Sequence, residues 1–163
     1  MNKALAAKVL IFALLLLSLP PVLTIQPSAV TIYELDENNS DPQNLFYKLN
    51  SDALTAEVYI PENIKSGFPL VNITIPDSVK KGENIYTVTR IANEAFSGLK
   101  NVKSVALPAT ITYIGRSAFD SCENLESITL PEGLTEIGKN AFACCWSLKT
   151  IAIPDSAEKI GKG

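Results

Sequence analysis

A 23-residue repeat fills the second half of the chain. Three full copies and the start of a fourth follow one another without a gap: residues 91–113, 114–136, 137–159 and 160–163. They share isoleucine, alanine, phenylalanine and proline at fixed positions, as at Phe96, Phe119 and Phe142. One such unit cannot enclose a core, so the copies must bury their apolar positions by stacking on one another. The repeat therefore predicts a solenoid.

Each copy contains one short strand and one tight bend. The runs S-V-A-L-P, S-I-T-L-P and T-I-A-I-P alternate apolar with small residues, which predicts a strand with one buried face. Proline ends each run because it lacks a backbone donor. Gly115, Gly138 and Gly161 are predicted to permit the bend near the start of the copy.

The repeat weakens toward the N-terminus. Ile73-Thr74-Ile75-Pro76 matches the strand half of a copy, but nine extra residues separate it from the next strand. Residues 58–64 are a shorter echo of that half. Atypical leading repeats are expected where a cap must cover the first apolar face. We therefore divide the region into a β-rich N-terminal cap at 25–69, an atypical leading repeat at 70–90 and an array that extends over 70–163.

The N-terminus has the layout of an export signal. Lys3 and Lys8 precede an eleven-residue run, 9–19, that only Ser18 interrupts, and two prolines follow. This pattern predicts a signal peptide over 1–24. An uncleaved N-terminal anchor is the alternative, since residues 9–25 are weakly polar throughout. Either way the protein is predicted to be exported.

Composition excludes several classes of function. The chain has no histidine, so imidazole-based catalysis and imidazole-ligated metals are not available. Its formal net charge is −3, and no basic run lies beyond the extreme N-terminus, which argues against nucleic-acid binding. No constellation of catalytic residues is visible. We therefore expect no enzyme activity, no cofactor, no metal, and no membrane contact beyond the export signal.

The repeat unit, I-G-x-x-A-F-x-x-C-x-x-L-x-x-I-x-[LI]-P, resembles the BspA-type leucine-rich repeat of bacterial and some protist surface proteins. The clear match covers residues 70–163. The resemblance implies a leucine-rich repeat solenoid with short parallel strands along one face and irregular or short helical turns on the other. It also implies a secreted or cell-surface role in adhesion or protein binding.

The three cysteines are interpreted by their positions in the repeat. Cys122 and Cys145 share a position that the preceding copy fills with Leu99, which favours two stacked, buried thiols. A bridge between them remains open, because stacked strands lie within disulfide reach. Cys144 shares a position with glycine and serine, so it is predicted to be the more exposed and more reactive thiol.

The candidate partner-binding residues lie on and beside the predicted strands. Small side chains point outward along the strands, charged ones alternate in sign at their edge, and the single tryptophan replaces a charged residue of the other copies. A plain solvated face, with the tryptophan covering the end of the array near Cys144, is the alternative. The candidates are Lys103, Ser104, Glu126, Ser127, Thr129, Trp146, Lys149 and Thr150.

Two functions follow as hypotheses. The first is an interaction or adhesion module that binds a host, matrix or other surface protein, or a glycan, through its repeat face. The second is a structural spacer, or a truncated fragment of a larger surface repeat protein, with no ligand of its own. Because the fourth copy has only four residues, 160–163, we expect the apolar face of the last full copy to lack a cover. A chain–chain contact at this C-terminal end is therefore a further expectation.

Overall fold

Short strands make up nearly all of the regular structure in the computed structural model, which describes residues 32–162. The predicted export signal at 1–24 lies outside this range. The elements in chain order are β1 (Tyr33–Glu34), β2 (Phe46–Asn50), β3 (Thr55–Tyr59), α1 (Glu62–Lys65), β4 (Asn72–Thr74), β5 (Ser78–Lys81), β6 (Asn84–Ile91), β7 (Ser104–Ala106), β8 (Tyr113–Ile114), β9 (Ser127–Thr129), β10 (Glu136–Ile137) and β11 (Lys159–Ile160).

The predicted strands pair in parallel between neighbouring copies. β4, β7 and β9 form a three-stranded sheet in which Ile73, Val105 and Ile128 lie opposite one another and are buried. This is the alternation that the strand runs predicted. Thr150 and Ala152 do not continue the sheet, so the prediction of a third repeat strand is wrong. The outermost copy has a neighbour on one side only, within residues 32–162, and its strand segment is held less firmly.

A second parallel ladder joins the copies elsewhere in the unit. It consists of the end of β6 followed by β8, β10 and β11. The ladder aligns the isoleucines that open each copy: Ile91, Ile114, Ile137 and Ile160. Among the described residues α1 is the one helix, and it precedes the first full copy. The full copies contain irregular turns and a second ladder, and irregular turns are one of the two forms that the resemblance implied.

The turn between the two ladders uses left-handed backbone. Glu94 and Gly98 have φ of 57° and 76°, and the same two positions are left-handed in the next two copies. In this segment every second amide, from residue 94 to residue 98, points toward the following copy. The amide N–H groups of Glu94, Phe96 and Gly98 donate to the carbonyls of Arg116, Ala118 and Asp120, at 2.8 Å each.

The glycines near the start of each copy serve a different purpose from the one predicted. Gly115 and Gly138 are not left-handed, so the interpretation as bend-permitting residues is wrong. Instead, a Cβ at Gly115 would lie 2.5 Å from the backbone nitrogen of Asn93 in the preceding copy. The copies can approach each other this closely only because glycine has no side chain.

The echo at 58–64 belongs to the second ladder. β3 pairs in parallel with β6, and Val58 lies opposite Ile91. Val58 is therefore aligned with the isoleucines that open each copy and not with the strand half that Ile73 begins, so the predicted alignment is wrong. The boundary between a cap at 25–69 and the array stays a prediction.

The N-terminal segment, defined here as residues 32–57, packs on the repeats through a mixed sheet. β2 and β3 form an antiparallel hairpin, β5 and β6 form another, and β1 pairs in parallel with β5 at the edge of the sheet. The loop before β2 closes around Asp41, which is almost fully buried. Its carboxylate accepts hydrogen bonds from the Gln43 amide, the Leu45 amide and the Tyr47 hydroxyl, at 2.8, 3.1 and 2.8 Å.

The centre of the repeats contains a stack of phenylalanine rings. Phe96 and Phe119 stack with centroids 5.2 Å apart, and Phe119 and Phe142 follow at 5.3 Å. The first two rings are buried, whereas Phe142 is only partly buried. The core therefore runs along the repeats and becomes less enclosed at the last copy.

Candidate functional site

The outward side of the three-stranded sheet is the candidate site. We call this surface the strand face and define it by the outward residues of the three strands: Asn72, Thr74, Ser104, Ala106, Ser127 and Thr129. All are small or medium-sized. Because each strand places its central residue in the core and the two flanking residues outside, the face is flat and open to a partner.

The predicted serines and threonines differ in exposure and in whether their hydroxyl groups already form hydrogen bonds. The Ser104 hydroxyl donates a 2.7 Å hydrogen bond to the Asn72 side chain, so it is already engaged. Ser127 and Thr129 are exposed on β9. Thr150 is also exposed but lies outside any strand. The exposed hydroxyl groups among the predicted residues therefore lie on the later copies.

The predicted charged edge forms one ion pair, between the first two full copies. Lys103 and Glu126 lie 3.2 Å apart, and both side chains are more than half exposed. Lys149 continues this position and is exposed, with no ion-pair partner among residues 32–162. Exposed pairs contribute little to stability, so the first two charges mainly neutralise each other. Lys149 leaves a positive charge at the edge.

Trp146 is the most exposed large apolar side chain of the described residues, at 77%. Its counterparts Lys100 and Glu123 form an ion pair at 2.8 Å. A ring that covered the end of the array would lose most of its accessible surface, so the covering interpretation is wrong. The structure places Trp146 on the same copy as Lys149 and Thr150, in the turn that precedes them.

The cysteines are free thiols, and the two in the shared position pack as predicted. Cys122 is buried and Cys145 partly buried, and their Sγ atoms each donate to a carbonyl of the preceding copy, Phe96 and Phe119, at 3.1 Å. Burial raises the pKa of the Cys122 thiol to about 12 and that of Cys145 to about 11, which makes both poor nucleophiles. Cys144 is exposed, as predicted.

One cluster beside the second ladder was not anticipated. The Arg90 guanidinium lies 3.6 Å from the ring centroid of Tyr113, and it also forms an ion pair with Glu57 at 3.8 Å. The Tyr113 ring is therefore partly buried and packs against a charged side chain of the preceding segment. The sequence does not reveal this contact, because Arg90 precedes the first full copy. Only the register of the ladder places Arg90 beside Tyr113.

Neither a metal site nor a membrane-spanning helix is found in the part of the chain that the structure describes. Residues 32–162 contain no group of three or more Cys, Asp or Glu side chains placed to hold a metal ion. In the same range no helix has the length and apolar character needed to cross a bilayer.

Similar solved structures share the repeat architecture. A leucine-rich repeat protein from Bacteroides capillosus is 31% identical, with a TM-score of 0.66, and the match covers 76% of this chain and 88% of that one. The T. pallidum leucine-rich repeat protein is 30% identical, with a TM-score of 0.61, over 76% of this chain and 53% of that one. A leucine-rich repeat protein from Bacteroides ovatus is 29% identical, with a TM-score of 0.62, over 72% of this chain and 30% of that one.

The chain therefore spans less than two thirds of two of these relatives. No curated protein is a significant match. The family model described as "BspA type Leucine rich repeat region" matches residues 60–163 with six copies. This match covers more than half of the chain and agrees with the resemblance inferred from the repeat unit. The protein belongs to the BspA-type leucine-rich repeat family.

Proposed function

We propose that this protein is a secreted or cell-surface interaction module, which binds a host, matrix or other surface protein, or a glycan. The partner contacts the strand face together with Trp146, Lys149 and Thr150 of the last full copy. Leucine-rich repeats are a general protein-interaction fold and are generally non-enzymatic. The observation that carries the proposal is the exposure of Trp146, at 77%, in the turn that precedes Lys149 and Thr150.

An exposed tryptophan of this kind is a good anchor for a partner. It combines a large apolar surface with one N–H donor and loses little side-chain entropy on binding, and tryptophan is enriched among the residues that dominate interface energies. Ser127 and Thr129, on the strand of the preceding copy, are short, so a partner can approach the sheet closely. Lys149 adds a positive charge that favours an acidic partner.

The location outside the cell rests on the N-terminal pattern and on the family. BspA-type repeat proteins are typically found on the cell surface or secreted. A signal peptide over 1–24, or an uncleaved anchor there, would export the chain. We further propose that residues 25–69 act as a β-rich cap on a repeat solenoid that continues through the array. The mixed sheet of β1, β2, β3 and β5 supports this arrangement.

A structural spacer without its own ligand is the second candidate. The pairs Lys103–Glu126 and Lys100–Glu123 favour it, because they satisfy each other and leave less charge to attract a partner. A spacer would carry such paired, mutually neutralising charges along its whole length. Trp146 and Lys149 are the residues that break this pattern, so they separate the two candidates.

Binding to immobilised extracellular-matrix extract tests the proposal, with the retained fraction of the exported chain measured at increasing salt. We expect Trp146→Ala to lower apparent affinity at least about tenfold, as for a central interface residue. Lys149→Glu should weaken binding further at low salt, whereas Lys149→Arg should not. Ile85→Ala removes another exposed apolar side chain, 48% exposed, from β6 and should have no effect. No retention, or equal retention of all variants, would favour the spacer.

A further inference from the structure

Basic residues are concentrated beside the second ladder. They occupy two positions of the repeat unit, three residues apart, and recur from the segment before the first full copy to the start of the fourth. The two positions hold five of the twelve basic residues that follow Lys8, but one of the seventeen acidic residues of the chain, Glu136. We call this set the basic surface and define it by Arg90, Arg116, Lys139, Lys159 and Lys162.

The register of the ladder places one of these two positions in a continuous row. Arg90 lies opposite Tyr113, Tyr113 opposite Glu136, and Glu136 opposite Lys159. The side chains of the first three point away from the core, because the residue that follows each of them is a buried isoleucine. The row crosses four neighbouring strands, β6, β8, β10 and β11, and is therefore about 14 Å long.

The other position runs alongside this row. The Tyr113 hydroxyl lies 3.5 Å from the Asn93 Oδ1 atom, and the same oxygen accepts a 2.8 Å hydrogen bond from the Arg116 amide. In the next copy the Lys139 carbonyl accepts a 2.9 Å hydrogen bond from the Ser117 amide, so Lys139 follows Arg116 at the spacing of adjacent copies. Arg116 and Lys139 are both exposed. The basic surface is therefore continuous from one copy to the next.

Like charges follow one another on the basic surface. Other charged positions of the repeat alternate in sign, as in the ion pair of Lys103 with Glu126. The position of Arg116 instead carries three basic residues in succession, the longest run of like charge at any position of the repeat. Arg116 pairs with Glu94 at 2.8 Å, but Lys139 has no ion-pair partner among residues 32–162. Like charges on adjacent copies repel, and a bound polyanion would offset this repulsion.

The contacts that the basic surface already makes leave it able to bind an anion. The side chains of Arg116 and Glu94 are both more than half exposed, and such pairs contribute little to stability, so a ligand can replace them. Arg90 lies over the ring of Tyr113, which holds its planar guanidinium in one orientation. A guanidinium held in this way can donate two parallel hydrogen bonds to one sulfate or carboxylate group.

We infer that the basic surface binds a linear polysaccharide that carries a sulfate or carboxylate group on nearly every sugar. Such a chain presents negative charges at a regular spacing, comparable with the separation of about 4.8 Å between copies, and it can lie across all four strands. The inference rests on the proposed export of the protein, which would bring it into contact with extracellular polysaccharides. It uses neither the strand face nor Trp146.

Other polyanions fit the basic surface less well. A single-stranded nucleic acid needs exposed aromatic rings on which its bases stack, and Arg90 covers one side of Tyr113, the aromatic residue of the row. An acidic peptide that binds as an added strand needs a free sheet edge, but β8 and β10 are each paired on both sides. A polysaccharide needs neither feature, because its charged groups lie along the outside of the chain.

Retention of the exported chain on immobilised polysaccharides tests the inference, with the salt concentration at elution as the measurement. The probes are heparin, which carries sulfates and carboxylates, polygalacturonate, which carries carboxylates alone, and uncharged dextran as the blank. We expect retention on at least one anionic polysaccharide and none on dextran, and retention on heparin alone would identify sulfate as the group recognised. Lys139→Glu should lower the affinity on the order of tenfold, whereas Lys139→Arg should preserve it.

Lys149→Glu is the matched control, because it reverses the charge of an exposed lysine in the same copy but outside the basic surface. This variant and Trp146→Ala should leave retention nearly unchanged, which separates failure of this inference from failure of the proposed function. The inference is overturned if neither anionic polysaccharide retains the chain or if Lys139→Glu and Lys149→Glu weaken retention equally. It is also overturned if single-stranded DNA or polyglutamate, at equal charge concentration, displaces the chain as well as the free polysaccharide does. Circular dichroism of each variant confirms that lost retention is not lost folding.

Discussion

Glycine at the second position of the repeat allows the close spacing between copies. A Cβ at Gly138 would lie 2.4 Å from the Arg116 backbone nitrogen, and one at Gly115 would lie 2.5 Å from the Asn93 backbone nitrogen. The obstructing atoms belong to backbone, which cannot rotate away as a side chain can. The copies therefore approach as closely as they do because this position carries no side chain.

The first prediction concerns this position. Gly138→Ala should lower the free energy of unfolding by roughly 3 kcal/mol, since overpacking against backbone forces the two copies apart. Gly133→Ala is the matched control, because its Cβ would meet the nearest atom, the Ala109 carbonyl oxygen, at an ordinary 3.5 Å. Urea unfolding of both variants measures the difference. Equal stability of the two would show that the copies can separate at little cost.

At the scale of single elements, the loop before β2 depends on one buried carboxyl group. Asp41 accepts three hydrogen bonds, yet burial is the larger influence and raises the pKa of its carboxyl group. Its partner is also affected, since burial and the adjacent carboxylate raise the pKa of the Tyr47 hydroxyl. The folded state therefore binds the Asp41 proton more tightly than the unfolded chain does.

A pH dependence of stability follows from this shift. The contribution of Asp41 is fully present below its unfolded pKa, near 3.8, and is lost as the pH rises through the higher folded pKa. Asp41→Asn keeps an acceptor for the two amides and does not titrate. The stability of the natural chain relative to this variant should therefore fall as the pH rises from about 3.8 through the higher folded pKa. Urea unfolding at several pH values measures it, and a constant or rising difference would contradict the raised pKa.

At the scale of the whole molecule, stability is a sum over neighbouring copies. Burial along the repeated positions decreases toward the C-terminus: Phe119 is fully buried between two rings, whereas Phe142 is partly buried and stacks on one. The last strand run, which begins at Thr150, also leaves the sheet. The final copy is therefore the least stable part of the described array.

Equivalent substitutions should reveal this gradient. Phe119→Leu should lower the free energy of unfolding by about 1.5 kcal/mol, and Phe142→Leu by about half as much. The reason is that the inner ring loses contacts on both sides and the outer ring on one. Thermal unfolding of the two variants measures the ratio. If Phe142→Leu cost as much as Phe119→Leu, the partial exposure of the outer ring would not persist in solution.

Much of the fold was accessible from the 23-residue period, although the candidate site was accessible only in outline. The repeat predicted the inward residues and the β4–β7–β9 strands, and the shared position of Cys122 and Cys145 predicted two packed thiols. It did not predict the second ladder, whose strands have two residues each, too few to produce an alternating pattern. The exposure of Trp146 was also undecided, because the same side chain could cover the last copy or point into solvent.

The sequence by itself determined that this protein is a stack of near-identical units, because a repeated set of apolar positions can be buried only by neighbours of the same kind. It also determined the family, since the repeat unit is specific to it. Tertiary structure alone decided which residues meet across the copies: Arg90 on Tyr113, Val58 opposite Ile91, and glycine against backbone. Those contacts depend on the register and spacing of separate strands, and no local pattern encodes either quantity.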